Sequence, residues 1–188
     1  MSGHLFIISG CSGVGKGTII KNFLEKNPDV KLSVSATTRK PREGEENGVN
    51  YFFISQEEFK KAIQNDEFLE YAEFSGNMYG TKKSYVEKKL KEGFDIILEI
   101  EVQGAKQVKE KMPQALSIFI MPPSIEALEQ RLRGRHTEDE ETIQKRLSQV
   151  KREIEAGNKF DYKVINDELD EAVNSLQKIV DTERNKKC

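Results

Sequence analysis

The 188-residue chain has no tryptophan, only two cysteines and only five prolines. A disulfide between Cys11 and the last residue, Cys188, is not expected, and the low cysteine content fits a reducing compartment. No apolar run approaches the roughly 20 residues that span a membrane, and the N-terminus has no signal-peptide pattern. The net charge of −2 excludes a global basic field for nucleic-acid binding. We therefore expect a cytoplasmic protein of one domain with neither a membrane nor a nucleic-acid partner.

Apolar runs that suit buried strands alternate with helical patterns along the chain. The predicted strands are Leu5–Ile8, Ile96–Ile100, Leu116–Met121 and Tyr162–Ile165. The predicted helices are Lys16–Lys26, Gln103–Lys111, Ile125–Leu132, Thr142–Glu155 and Leu169–Glu183. This alternation predicts an α/β fold with a parallel-sheet core and helices on both faces.

A glycine-rich loop joins the first predicted strand to the first predicted helix. It comprises the residues Gly10, Cys11, Ser12, Gly13, Val14, Gly15, Lys16, Gly17 and Thr18. Glycines let successive backbone N–H groups point inward, the helix adds its positive N-terminus, and Lys16 adds a full charge for the β- and γ-phosphates. The loop therefore predicts binding of a nucleoside triphosphate. The hydroxyl comes one position later than in the usual motif, so Thr18 contacts either a phosphate or the water shell of a metal.

Cys11 lies inside this loop, beside Lys16 and a helix N-terminus. Such surroundings can lower the pKa of a thiol and make it reactive. The alternative interpretation, which we favour, is a small residue that is merely tolerated there.

Residues 33–84 have a different pattern and predict a small mixed α+β lobe inserted into the core. Tyr51–Ile54 resembles a strand, and Ser55 begins a capping box before a helix that extends to about Asn65. Phe68–Phe74 alternates between apolar and polar residues, as a half-buried strand does. Gly76-Asn77 predicts the turn that follows.

Polar side chains of this lobe suit a second, nucleotide-like ligand. Arg39 and Arg42 flank Pro41, and two guanidinium groups can hold a phosphate with phenolic help from Tyr51 and Tyr79. The carboxylate of Glu70 can accept the paired donors of guanine, N1–H and the 2-amino group, which adenine lacks. The alternatives are ordinary surface ion pairs for the arginines, a core role for Tyr51 and simple exposure for Glu70.

A second polar interruption runs from Arg131 to Glu141. Arg131, Arg133, Arg135 and Arg146 surround an acidic run there, and Thr137–Glu140 reads as a capping box that starts a helix. This arrangement predicts a helical flap over the phosphates.

With these motifs in place, the chain resembles the guanylate kinases over about residues 4–184. The resemblance rests on the glycine-rich loop and on the stretches 33–45, 70–81, 98–104, 131–135 and 164–167. It implies a core (1–32, 85–125 and 150–188), a GMP-binding lobe (33–84) and a lid (about 126–149), and transfer of the γ-phosphoryl of ATP to GMP with Mg²⁺. A monomer is expected, with a homodimer left open.

The resemblance also implies roles for individual residues. Guanine would be read by Ser35, Glu70 and Thr81, and the GMP phosphate would be held by Arg39, Arg42, Tyr51 and Tyr79. Glu99 and Glu101 would complete the GMP site, Arg135 and Arg146 would contact the ATP phosphates, and Asn166 would lie near the adenine. Lys16, Arg39, Arg42, Arg135 and Arg146 would be catalytic. The family usually has Asp at the position of Glu101, so a contact to guanine, a water-mediated contact and a place in the metal shell all stay open for it.

Three other functions compete with this interpretation. Kinase-like domains of scaffolding proteins bind peptides, but they usually lack an intact ATP loop. An ATP-dependent kinase for another acceptor, such as a different nucleotide, is the next alternative, and Glu70 together with Ser35 argues against adenine. A regulatory GTPase would need a guanine-reading motif of its own class, which we do not find.

Overall fold

The computed structural model describes residues 3–133 and 139–186. Within them lie nine strands: β1 (Leu5–Gly10), β2 (Val30–Leu32), β3 (Ala36–Thr37), β4 (Phe52–Phe53), β5 (Phe68–Phe74), β6 (Asn77–Lys82), β7 (Asp95–Glu99), β8 (Leu116–Met121) and β9 (Tyr162–Ile165). The helices are α1 (Lys16–Lys26), α2 (Gln56–Gln64), α3 (Lys83–Lys91), α4 (Val102–Lys111), α5 (Ile125–Arg133), α6 (Glu140–Gly157) and α7 (Leu169–Lys186).

The strands form a five-stranded sheet in the order β2-β7-β1-β8-β9 and a four-stranded sheet in the order β4-β3-β6-β5. The pairs β2–β7 and β8–β9 are parallel, and the smaller sheet mixes one parallel pair with antiparallel ones. The predicted α/β class is therefore confirmed. Every strand and helix predicted for the core is present, and β8, β9 and α1 have the predicted bounds.

The chain divides into two compact units. One contains the chain up to Phe6 together with Asp29–Leu98 and Gln103–Ala115. Its small sheet buries Phe59 of α2 against Phe68 of β5, with ring centroids 4.4 Å apart. The capping box of α2 is formed as predicted, since Ser55 accepts from the Glu58 amide and the Glu58 carboxylate accepts from the Ser55 amide.

The other unit contains Ile7–Pro28, Glu99–Val102 and the chain from Leu116 onward. Its core includes fully buried aliphatic residues of β1 and β8, and buried residues of α1 and α7, two helices that contact each other. The α1–α7 contact also includes a polar pair, because Asn27 donates from Nδ2 to Oε1 of Gln177 at 2.7 Å.

Two local predictions, the hairpin turn and the alternation along β5, differ from the structure. The hairpin turn is Ser75-Gly76 and not Gly76-Asn77: both turn residues have positive φ, and Asn77 already pairs with Phe74. This is the geometry of a two-residue hairpin loop that matches the strand twist. The short strand β2 and the helix α3 were not predicted, because β2 has only three residues and α3 buries only Val86.

The predicted alternation along β5 is also wrong. Phe68, Leu69 and Glu70 are all buried, whereas Phe74 at the other end is exposed. The register between β5 and β6 shifts between Phe68 and Glu70, which is the mark of a β-bulge. A bulge turns the side chains that follow it away from strict alternation.

The N-cap of α6 is Asp139, whose carboxylate accepts from the Thr142 amide at 2.8 Å. The sequence placed the helix start at Thr137, which lies outside the described residues.

Candidate active site

The glycine-rich loop lies between β1 and α1, as predicted. Gly13 and Gly15 have φ values of 80° and 90°, which a residue with a Cβ adopts only under strain. Gly15 is the N-cap of α1, and no side chain caps the helix. The amides of the first turn therefore have no side-chain acceptor, and an anion is the ligand that such a helix start favours.

Lys16 follows immediately, with Nζ 3.5 Å from the carbonyl oxygen of Gly10. Its ammonium group therefore lies across the mouth of the loop, close to the same backbone that offers the amides. Gly17 and Thr18 continue the first turn, and Thr18 donates its amide to Gly15. Loop amides, helix N-terminus and ammonium group together form a site for a polyphosphate.

Two side chains from later in the sequence brace this loop. Asn166 is buried and donates from Nδ2 to the carbonyl oxygen of Val14 at 2.7 Å. A Cβ on Gly15 would lie 2.8 Å from the same Nδ2, so glycine is required there for packing as well as for φ. Asn166 thus supports the loop, and its predicted place near adenine stays a prediction.

Glu153 of α6 is the other brace, and sequence reasoning missed it. Its Oε2 accepts from the Ser12 amide at 3.2 Å, and its Oε1 accepts from Gln149 at 2.9 Å. Nothing in the sequence distinguishes this glutamate from its neighbours on a highly charged helix, because its importance comes only from the packing of α6 against the loop.

Cys11 is buried in the loop, and burial together with the nearby charge of Glu153 raises the pKa of its thiol to about 12. These surroundings do not support a reactive thiol. They support the interpretation of Cys11 as a small residue that is tolerated in the loop.

The raised pKa of Cys11 predicts a slow thiol. At pH 8 an ordinary thiol with a pKa of about 8.5 is partly ionised, whereas Cys11 has roughly a thousandfold less thiolate. We expect the Cys11 peptide to label with iodoacetamide in urea but to remain almost unlabelled in the folded protein, as mass spectrometry will measure. Equal labelling rates in the two states would contradict the buried environment.

Glu99 ends β7 and is exposed, with Oε1 3.7 Å from where a Cβ on Gly17 would lie. A carboxylate therefore lies over the first turn of α1, next to the hydroxyl-bearing Thr18. Carboxylate and hydroxyl oxygens are ligands that Mg²⁺ accepts, directly or through its waters. Among the described residues, no three His, Cys, Asp or Glu side chains are grouped closely enough to hold a metal ion by themselves. Glu101 is exposed two residues further on.

The arginines predicted for the lid are only partly described. Arg135 lies outside the described residues, and Arg146 belongs to α6 but its side chain is outside the described part. Arg133 forms ion pairs with Glu129 and Glu140, which raise its pKa and link α5 to α6.

The lobe residues form a cluster around Arg39. Its guanidinium makes a two-pronged pair with Glu45, with Nη1–Oε2 at 2.9 Å and Nη2–Oε1 at 2.8 Å. The guanidinium carbon also lies 5.4 Å from the centre of the Tyr51 ring, and Tyr79 packs edge-on to Tyr51. Three predicted phosphate-binding residues are therefore brought together.

Glu45 is the second residue that sequence reasoning missed. Arg39 lowers the pKa of its carboxyl group, and the same carboxylate accepts the Arg42 amide at 2.7 Å. The ion pair that was the alternative interpretation for Arg39 is therefore present. It fixes the plane of the guanidinium group but uses only some of its five N–H donors, so others remain for a phosphate. The Arg42 side chain is exposed.

Glu70 and Thr81 face each other across β5 and β6. Thr81 donates from its hydroxyl to Oε1 of Glu70 at 2.6 Å, and both residues are almost fully buried. Burial raises the pKa of Glu70, and the hydrogen bond from Thr81 opposes that rise. The alternative that Glu70 is merely exposed is therefore wrong.

A common face of the small sheet carries these groups. Tyr79 and Thr81 are two residues apart on β6, so both project from one side, roughly 7 Å apart. Glu70, which pairs with Thr81, therefore places a hydrogen-bond acceptor for a base on the same face as Tyr79. The Tyr79 ring in turn packs against Tyr51 of the Arg39 cluster. Ser35 is half-buried, and its carbonyl oxygen accepts from the Phe52 amide.

The chain is similar to known proteins over almost its whole length. The profile of the family described as "Guanylate kinase" matches residues 2–183. A relative named guanylate kinase from Prochlorococcus marinus subsp. pastoris is 54% identical, covering 94% of this chain and 96% of its own length. Another from Synechocystis is 48% identical, covering 97% and 96%. The crystal structure of guanylate kinase from Anaplasma phagocytophilum superposes with a TM-score of 0.73 at 33% identity, covering 97% of this chain and 86% of that one. The chain therefore belongs to the guanylate kinase family.

Proposed function

We propose that this protein transfers the γ-phosphoryl group of ATP to GMP, giving ADP and GDP. The observation that carries the proposal is the buried Glu70 carboxylate, which is hydrogen-bonded to Thr81 and lies on the same sheet face as Tyr79, whose ring packs against Tyr51 beneath Arg39. A base reader and a phosphate binder at this spacing suit a purine nucleoside monophosphate.

Glu70 supplies the base specificity in this proposal. Its carboxylate accepts N1–H and the 2-amino group of guanine side by side, while Thr81 holds one of its oxygens in place and Ser35 adds a hydroxyl near O6 or N7. Arg39, Arg42, Tyr51 and Tyr79 hold the phosphate. Adenine presents an acceptor at N1, so its approach to Glu70 would leave a buried carboxylate without its donors.

The ATP phosphates bind the loop amides and Lys16, with Arg135 and Arg146 adding charge from the lid. Thr18 and Glu99 are the residues that would hold Mg²⁺ through its waters, and the bound ion would neutralise charge on the phosphates. The GMP phosphate oxygen is ionised near pH 7, so we assign no general base. The protein contributes positioning and charge neutralisation.

The lobe, core and lid divisions given above remain part of this proposal, as do a cytoplasmic location and a monomeric state. Among the described helices, none has the length and apolar character needed to cross a membrane.

The direct test is ADP production from ATP and Mg²⁺ with GMP, dGMP, AMP, UMP and CMP offered in parallel. We expect strong turnover with GMP, with or without dGMP, and little with the other three. Tight GMP binding without turnover would instead favour a binding module, and a preference for another acceptor would favour a different nucleotide kinase.

Glu70→Gln should erode the preference for GMP over AMP by about tenfold or more, because the change replaces an acceptor with a donor beside the base. The ratio of kcat/KM for the two acceptors measures it. Glu73→Gln is the matched control, since Glu73 is an exposed residue of the same strand. An unchanged ratio in Glu70→Gln would remove Glu70 from the base site.

A further inference from the structure

Within the described part of the chain, the strand that carries Glu70 has a strand neighbour on one side only. β5 is at the edge of the four-stranded sheet, and its ladder with β6 is interrupted by the bulge immediately before Glu70. Edge strands and bulges are the least constrained parts of a sheet. The backbone that carries the Glu70 carboxylate must therefore be held in place by something other than a second neighbouring strand.

Helix α4 supplies that rigidity through two side chains one turn apart. Gln107 pairs with the outward backbone of Tyr71, since its Oε1 accepts from the Tyr71 amide at 3.2 Å and its Nε2 donates to the Tyr71 carbonyl at 3.1 Å. Lys111 donates to the Phe68 carbonyl at 2.6 Å and pairs with Asp66 at 2.5 Å. The two side chains therefore fasten β5 on both sides of Glu70.

The contacts made by Gln107 imitate a missing strand. A side-chain amide offers one donor and one acceptor, which is what a neighbouring strand would offer to Tyr71. Residues Gln103–Ala115, which include Gln107 and Lys111 of α4, belong to the same compact unit as β5. The edge is thus closed by a helix side chain instead of by backbone.

We propose that Gln107, assisted by Lys111, is a positioning residue for guanine selection: it fixes the bulged edge strand so that Glu70 points at the base. This role rests on the proposed function, and in it Gln107 contributes to the choice of base without touching the substrate. Removing the Gln107 pair leaves two backbone groups unsatisfied and lets the segment around Glu70 shift.

The test compares Gln107→Met with Gln177→Met in the full-length protein. Methionine keeps the length and helical preference of glutamine but removes its hydrogen bonds. Gln177 is a good match, because it too is a half-buried helical glutamine and accepts an amide hydrogen bond, from Asn27. For each variant, KM for GMP and for ATP, kcat, and the kcat/KM ratio of GMP to IMP are measured together with the thermal midpoint.

For Gln107→Met we expect KM for GMP to rise about tenfold and the GMP-to-IMP ratio to fall about tenfold, the scale of one lost hydrogen bond to a charged group. IMP is the informative competitor, because it lacks only the 2-amino group. The KM for ATP and kcat should stay within about threefold. Gln177→Met should lower the thermal midpoint without changing the ratio. Lys111→Met should also lower the GMP-to-IMP ratio. This variant replaces Gln107→Met in the test if Gln107→Met is too unstable to assay.

A double-mutant cycle separates positioning from general stability. If Gln107 acts through Glu70, Gln107→Met should change the GMP-to-IMP ratio in the wild-type background but not in Glu70→Gln. An unchanged ratio in Gln107→Met, or an equal change in both backgrounds, would overturn the positioning role. Calorimetric measurement of GMP binding separates failure of the proposed function from failure of the positioning role. If the wild-type protein binds GMP without turnover, only the proposed function is contradicted. The variants are then compared by their affinities for GMP and IMP.

Discussion

Lys16→Ala is expected to lower turnover by about a hundredfold or more, the scale seen when one preorganised transition-state donor is removed. The ammonium group lies at the mouth of the glycine-rich loop, 3.5 Å from the Gly10 carbonyl, where negative charge develops between the β- and γ-phosphates. Backbone amides alone cannot replace a full positive charge in that position. The measurement is steady-state ADP production at saturating ATP and GMP.

The matched control is Lys21→Ala, which removes an exposed lysine from the same helix. It should keep near-wild-type turnover, and both variants should keep the thermal midpoint within a few degrees, because neither lysine is part of the core. Near-normal turnover in Lys16→Ala would refute its catalytic role, whereas an equal loss in Lys21→Ala would point to a general effect of charge.

Arg39→Ala should lower kcat/KM for GMP by about a hundredfold or more while leaving KM for ATP nearly unchanged. The guanidinium group is held by Glu45 at 2.8–2.9 Å and lies over Tyr51, so its plane is set before substrate arrives. Arg39→Lys keeps the charge but loses the two-pronged pair, and we expect an intermediate loss. Acceptor kinetics with GMP and dGMP measure both variants.

Part of the loss in Arg39→Ala comes from Glu45, whose carboxylate then faces the phosphate without its partner. The double variant Arg39→Ala with Glu45→Gln removes that repulsion and should recover some affinity for GMP, whereas the contribution of the guanidinium group itself stays lost. Lys40→Ala is the control, because it removes an exposed neighbouring charge and keeps the backbone carbonyl that Arg39 also contacts. Full turnover in Arg39→Ala would contradict the assigned role.

The core was predictable because its signals are local. The apolar runs of β8 and β9 and the apolar periodicity of α1 predicted their bounds to the residue, although of the β9 residues only Val164 is buried. The family was also predictable from motif order, and the comparisons confirm it. The turn after β5 was placed wrongly, because several polar residues in a row can each serve as a turn and only the tertiary contacts choose among them.

The sequence by itself determined the α/β core, the phosphate loop with its obligatory glycines, and the types of side chain that can read guanine. Those follow from spacing along one segment, where helix and strand periods dictate which residues share a face. Only the tertiary structure decided that Glu45 holds Arg39, that Glu153 and Asn166 brace the loop, and that Gln107 closes the edge beside Glu70. The partners of the last three contacts are 141, 152 and 36 residues apart in the chain. No local pattern encodes such contacts, because they exist only once separate helices and strands have packed against one another.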